Sequence, residues 1–312
     1  MPRVYLQKAS SGYRVVRGEV VRRIQLKLQA LGHNPGVVDG IFGSDTETAI
    51  KAFQLSKGIQ VNGKLTDETW TKLMQSPPPP VFDRCLQLTA DFEGHGFQTI
   101  AGNFDGAGLT WGIIGYTLQH GEIQNILTEA QQRFPAVIDS AFGNLKSILL
   151  SQLAKTWPEQ LLWANSISIG TNKVRVEEPW QRAFATLGAD PDVQTIQLRR
   201  VTKYWDIAKR DTSRFQLQSE AGIALCFDIA VQNGGIDNDT EARRISTWIN
   251  DNPGVSERDL LVRIADVVAE SSRPQYVEDV RKRKRTIAKS DGEVHGARYA
   301  TRDWGIGEYP WH

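Results

Sequence analysis

The sequence predicts a mainly α (α+β) fold in two parts, a small three-helix domain over 1–76 and a larger helical domain over 82–312 with a small β-hairpin. Three observations carry this. Apolar residues recur at helical spacing through most of the 312 residues. A run of four prolines, Ser76-Pro-Pro-Pro-Pro80, interrupts the pattern once and predicts a linker at 77–81. A glycine-dense stretch with short extended runs, from Gly94 to Gly115, is where the helical period gives way to a hairpin.

In the first part, Val20, Ile24, Leu28 and Leu31 mark a helix that closes at Gly32. Ser44 and Glu47 read as a capping box for a second helix, whose inner face is Ala49, Ile50 and Phe53 and which ends near Gly58. Thr66 is placed to cap a third, carrying Trp70 and Leu73. Val38-Asp-Gly-Ile-Phe-Gly-Ser-Asp-Thr46 and Val61-Asn-Gly-Lys-Leu-Thr-Asp-Glu-Thr69 repeat a turn followed by a helix start, the sign of a duplicated element. The prolines that follow favour an extended segment of roughly 12 Å, a spacer between the two parts.

The second part opens with Phe82, Cys85, Leu86, Thr89 and Phe92 at helical spacing. This helix stops at Gly94 and leaves Glu93 on its last turn. The hairpin comes next, with Gly102, Gly106 and Gly108 in its turns and Leu109, Trp111, Ile113 and Tyr116 in its extended runs. Asp105 falls in the first turn and Thr110 in the strand after it. Acidic residues beside glycines are most often turn-formers. A carboxylate at a helix end and another on an adjoining hairpin are also the pair that glycosidic hydrolysis needs on either side of a sugar chain.

Beyond the hairpin, helical periodicity covers 123–134, 136–154, 159–166, 193–209, 214–232, 240–250 and 257–270. The stretch 172–191 is less regular; it is expected to line a groove, with Trp180 either a sugar-stacking surface or a core residue. Arg281-Lys-Arg-Lys-Arg285 reads as a solvated helix face, one of whose arginines is a candidate to reach the cleft. The aromatic tail 304–311 is expected to staple the last segment onto the domain.

Composition bounds the partners. With 40% hydrophobic residues and a net charge of +1, the chain is globular, with no global field toward nucleic acid or anionic membrane. No apolar run reaches spanning length, so no stable membrane insertion is expected. Cys85 and Cys226 sit in apolar helical contexts and are expected to be free thiols. The five histidines lack ligand spacing, so no metal and no cofactor are expected. His95 alone lies close to Glu93.

Two resemblances follow from these residues. The segment 18–75 resembles the peptidoglycan-binding family 1 domain, through Leu28-Gln29, Leu31-Gly32, Asp39-Gly-Ile-Phe-Gly43, Thr46, Ala49, Phe53-Gln54, Gly58, Val61-Asn-Gly63 and Thr69-Trp70. Asp105-Gly-Ala-Gly-Leu-Thr-Trp-Gly-Ile-Ile-Gly115 is similar to the catalytic hairpin of the glycoside hydrolase family 46 chitosanases, in the lysozyme superfamily. Weaker likeness runs through Gly121-Glu122, Tyr204-Trp-Asp206 and Asn233-Gly234. The resemblance implies Glu93 as general acid, Asp105 as general base, Thr110 as the hydroxyl that helps hold the attacking water, and an inverting mechanism. It implies Glu122 as an acid that meets the sugar amine, which a helix-start glutamate explains equally well, and Asn233 as a substrate contact, where a helix cap built by Asn and Gly is the expected role. The chitosanases carry an arginine two residues after the aspartate, where this chain has Ala107, and their glutamate-to-aspartate interval is longer.

Together the two resemblances predict a monomeric, metal-free, endo-acting muramidase whose partner is bacterial peptidoglycan. Met-Pro-Arg-Val-Tyr-Leu-Gln-Lys-Ala has no apolar leader, which suggests an endolysin of phage type that reaches the wall by another route. A chitosanase, a lytic transglycosylase and a non-catalytic wall-binding protein are the alternatives.

Overall fold

The computed structural model describes residues 2–94, 96–236 and 239–312. In chain order its helices are α1 Glu19–Ala30, α2 Ser44–Ser56, α3 Asp67–Met74, α4 Val81–Glu93, α5 Glu122–Arg133, α6 Pro135–Phe142 and α7 Lys146–Leu153. They continue with α8 Trp157–Ile167, α9 Glu178–Ala189, α10 Pro191–Arg214, α11 Glu220–Asn233, α12 Glu241–Asp251, α13 Glu257–Glu270 and α14 Val277–Lys289. The strands are short: β1 Val4–Leu6, β2 Leu65–Thr66, β3 Ile100–Ala101, β4 Thr110–Trp111, β5 Tyr116–Thr117, β6 Ser168–Ile169, β7 Arg175–Val176, β8 Asp291–Val294 and β9 Ala297–Ala300. They form a three-stranded antiparallel sheet β3-β4-β5 and the pairs β1-β2, β6-β7 and β8-β9. The chain is mainly α, as its periodicity predicts.

Two compact units result, one of residues 1–92 with 204–312 and one of residues 93–203. These are cut differently from the 1–76, 77–81 and 82–312 read in the sequence. The N-terminal module clusters with α4 and the C-terminal segments because specific polar ties cross between them. Gln7 Nε2 donates to Asp303 at 2.6 Å, Tyr13 to Asp291 at 2.7 Å and Arg14 to Asp91 at 3.0 Å, while Arg3 joins Arg84 on the buried Glu220.

Inside the module the repeated sequence has a physical cause. Gln25 on α1 and Gln54 on α2 are both buried, and each is wrapped by one copy of the turn. The Gln25 amide donates to Asp39 Oδ1, the Ile41 carbonyl and Thr46 Oγ1, and its oxygen accepts from the Gly40 N–H. Gln54 makes the same contacts with Asn62 Oδ1, the Lys64 carbonyl, Thr69 Oγ1 and the N–H groups of Asn62 and Gly63. Ile24, Leu28, Phe53 and Leu73 fill the core around them. Thr66 caps α3 by accepting from the Thr69 N–H, as expected. The capping box at Ser44 does not form: Gly43 is the cap, Ser44 is the first helical residue, and Glu47 pairs with Lys8 and Lys51 instead.

The proline run is not a free spacer. A polyproline stretch leaves its carbonyls without internal partners, and here neighbours take them. Trp70 Nε1 donates to the Ser76 and Pro77 carbonyls at 3.1 Å and Arg84 Nε donates to that of Pro79, which is itself buried. Cys85 and Cys226 are buried free thiols, and burial pushes each up to about 12.

The basic run 281–285 lies on α14 and is not a solvated face throughout. Arg283 and Lys284 are fully buried and converge on Asp228 of α11 at 2.7 and 2.5 Å, while Arg281 and Arg285 pair with Asp266. Burial alone would raise Asp228; the two cations overcome that and hold its carboxyl at about 2. Thr89 of α4 also donates to Asp228, so one carboxylate ties α4, α11 and α14 together. The tail behaves as expected, with Trp304 and Ile306 fully buried.

In the second unit, the irregular stretch 172–191 contains β7 and the helix α9, and the single helix expected over 136–154 is broken at Gly143, where φ is 47°. Trp180 is a core residue rather than a stacking surface. It is 5% exposed, with ring centroids 5.3 Å from Trp163 and 6.3 Å from Phe142.

Two outcomes are expected in denaturant unfolding. Gln54→Leu leaves the Asn62 and Gly63 amides without their acceptor and destabilises the chain by about 2 kcal/mol or more; unchanged stability would show that the turn does not depend on this glutamine. Asp228 has a folded pKa below its unfolded value, so its contribution of about 2 kcal/mol is present above pH 4 and is lost as pH falls from about 4 to about 2. The acid limb of the stability profile measures this, and in Asp228→Asn that component of the limb disappears.

Candidate functional site

Glu93 stands on the last turn of α4, where the sequence places it, and Gly94 follows at φ 67°, a backbone conformation that ends the helix at little cost. Its side chain is half-buried and lines a groove of about 360 Å³ with Thr99, Ile100, Ala101, Phe104, Val174, Arg175, Val176 and Gln181. Phe104 immediately precedes Asp105. The glutamate and the wall of the Asp105 loop therefore share one concavity.

The loop from Gly102 to Gly108 is fixed by backbone contacts. A Cβ at Gly102 would lie 2.4 Å from the Lys173 carbonyl oxygen and 2.7 Å from that of Arg175, so only glycine lets the β6-β7 hairpin approach; the Gly102 N–H then donates to the Val174 carbonyl at 2.9 Å. Asn103 clamps the loop from both sides. Its N–H donates to Ser168 Oγ, its amide nitrogen donates to Asn165, and its amide oxygen accepts from the Gly108 N–H, each at 2.9 Å. Asp105 is held at the tip, exposed, with Oδ1 accepting from the Ala107 N–H at 3.0 Å. This is the turn-former's hydrogen bond, and it also orients the carboxylate.

Thr110 opens β4 and is 5% exposed. Its hydroxyl has no hydrogen-bond partner among the described residues. A buried hydroxyl left so costs about 1–3 kcal/mol, which makes it a position for a bound solvent or ligand atom. Behind it, Gln197 of α10 joins the sheet to the segment after Glu93: its Oε1 accepts from the Ile113 N–H, its Nε2 donates to the Phe97 carbonyl, and its own carbonyl accepts from Tyr116 at 2.6 Å. Sequence reading missed Asn103 and Gln197. The available signals were a polar residue entering the glycine turn and a glutamine on the inward face of a helix beside Val193 and Ile196.

The other predicted residues have these surroundings. Glu122 is the first residue of α5, and its carboxylate is ion-paired with Lys203 at 2.6 Å. Asn233 ends α11 before Gly234, a left-handed cap, and lines a polar cavity of about 400 Å³ with Arg210, Glu241, Ser271 and Ser272 in the first unit. Trp180 is in the core. His95 lies outside the described residues. No group of metal-ligating side chains occurs among the described residues, and no helix among them is long and apolar enough to cross a membrane.

Comparison with known proteins bears on the two parts differently. Residues 17–73 match the family described as "Putative peptidoglycan binding domain", and that segment belongs to it. A spore cortex-lytic enzyme of Oceanobacillus iheyensis is 39% identical over 59 residues, 19% of this chain and 21% of the relative, so the chain spans about a fifth of that relative's length. Among solved structures, a glycoside hydrolase family 46 chitosanase of Gynuella sunshinyii in complex with chitotetraose is 17% identical, covering 69% of this chain and 88% of that one with a TM-score of 0.46. The native chitosanase of Bacillus subtilis is 16% identical, covering 72% and 99% with a TM-score of 0.46.

The clamp has a direct readout in amide hydrogen exchange. Asn103→Ala removes the acceptor of the Gly108 N–H and is expected to speed exchange at Gly108 and Ala107 by about tenfold or more, with α5 and α9 unaffected. Equal protection in the variant would mean that Asn103 does not hold the loop.

Proposed function

We propose that the chain is an endo-acting peptidoglycan hydrolase, a muramidase that cleaves the N-acetylmuramic acid to N-acetylglucosamine bond with inversion. The observation that carries this reading is the groove, which brings Glu93 at a helix end to the wall of the loop that presents Asp105. Glu93 gives its proton to the glycosidic oxygen as the bond from that oxygen to C1 breaks. Asp105 takes a proton from a water that adds to C1 on the opposite face of the ring. The buried Thr110 hydroxyl, without a protein partner among the described residues, holds that water.

The peptidoglycan-binding module supports the choice of polymer. A wall-binding element on the same chain raises the local concentration of the hydrolase at an insoluble substrate without altering its chemistry. The endolysin role belongs to the same reading: wall cleavage by the added protein lyses bacteria whose outer barrier has been opened. A chitosanase is the second reading, favoured by the Asp105–Gly115 pattern.

Purified sacculi and chitosan, each incubated with the protein and with Glu93→Gln, separate the readings. Reducing muramic ends are expected from sacculi by mass spectrometry, with the α-anomer of the product appearing first by NMR. Glu93→Gln is expected to lose about 10²–10⁴-fold in rate and Asp105→Asn a comparable factor. Anhydro ends would make the enzyme a transglycosylase, glucosamine oligomers a chitosanase, and an unimpaired Glu93→Gln would remove Glu93 from the chemistry.

A further inference from the structure

The groove beside Glu93 carries an exposed cation. Arg175, on β7, lines it and is exposed. Six of the nine lysines and arginines between 93 and 203 sit in ion pairs. Among the described residues of that segment, only Lys155, Lys173 and Arg175 form no ion pair with a carboxylate within 4 Å. Two of those three belong to the β6-β7 hairpin: Lys173 at its turn, with Nζ donating to Asn165 at 2.7 Å, and Arg175 facing the groove. Arg175 is also rigidly based. Its backbone is pinned by the close approach at Gly102, and β7 pairs with β6 in the register Ile169 to Arg175.

Phe104 supplies the second half of the recognition surface. It is 49% exposed, lines the same groove and precedes Asp105 in sequence. A flat apolar ring suits the apolar face of a pyranose, and a guanidinium suits a carboxylate, which it can bind through two parallel hydrogen bonds. Glu122, the acid that a chitosanase resemblance assigns to the sugar amine, is meanwhile occupied by Lys203.

We infer that Arg175 is a specificity residue that binds a carboxylate borne by the glycan, the lactyl group or peptide stem of an N-acylated muramic residue, while Phe104 carries the neighbouring ring. This selects an anionic, N-acylated glycan and rejects a free-amine one by charge repulsion. The inference rests on the reading of the groove as a glycan site. Arg175 takes no part in proton transfer.

The test compares the full chain with Arg175→Glu and Arg175→Lys on two polymers, peptide-bearing glycan from sacculi and glycol chitin, which is N-acetylated but carries no lactyl group. Arg175→Glu is expected to lower kcat/KM on the sacculus glycan at least tenfold, chiefly through KM, and to leave glycol chitin within twofold. Arg175→Lys recovers most of the loss. Raising salt from 50 to 300 mM weakens the parent on the sacculus glycan and not the Glu variant. An equal fall on both polymers, or no fall on either, overturns the assignment.

If the parent cleaves neither polymer, the catalytic reading fails and the assignment is decided by calorimetry with soluble tetrasaccharide-peptide fragments and with the N-acetylglucosamine tetramer. A preference of tenfold or more for the peptide-bearing fragment, abolished in Arg175→Glu, sustains it. Equal binding in both proteins overturns it.

Discussion

One buried carboxylate sets the frame of the first unit. Asp228 sits on α11, the most completely buried helix of the first unit, and receives Arg283 and Lys284 from α14 and the Thr89 hydroxyl from α4. Such a charge is tolerated inside a protein only when its partners are in place, because an uncompensated buried charge costs several kcal/mol. The cluster therefore specifies how three helices meet. Arg283 also lies 5.5 Å over the ring of Phe92, so α14 packs against the last turn of α4 in the first unit. His295, from the β8-β9 turn, bonds the Phe92 carbonyl at 3.1 Å and adds a second restraint at that helix end.

The loop that presents Asp105 is built by a different device. Its position comes from missing side chains and from backbone hydrogen bonds: Gly102 against the β6-β7 hairpin, Gly112 against Gln197, Asn103 spanning the loop. A site that depends on geometry to within a fraction of an ångström is best supported by groups whose own conformations are locked. Asparagine and glutamine serve this purpose here because each offers a donor and an acceptor a short distance apart and can bridge two backbone segments at once.

The N-terminal module uses the same chemistry for a structural end. Two buried glutamines each organise one turn, and the turns are related by internal repetition. A module held by polar ties to the C-terminal segments, with its proline segment bonded rather than free, is packed as part of the first unit.

Sequence alone determined the mainly helical class, the three-helix module and its family, Glu93 at a helix end, Asp105 in a glycine turn and Thr110 at a strand start. These depend on local periodicity, capping and turn chemistry, which are written in consecutive residues. What it left undecided was the use of residues far apart in the chain. The run 281–285 looks solvated until Asp228, more than fifty positions earlier, is brought beside it, and Trp180 looks free to stack until Trp163 and Phe142 close over it. Glu122 looks unpaired until Lys203 reaches it, and Arg175 carries no signal until β7 is laid along the groove. Charge pairing and burial are properties of neighbours in space, and only the tertiary structure supplies those neighbours.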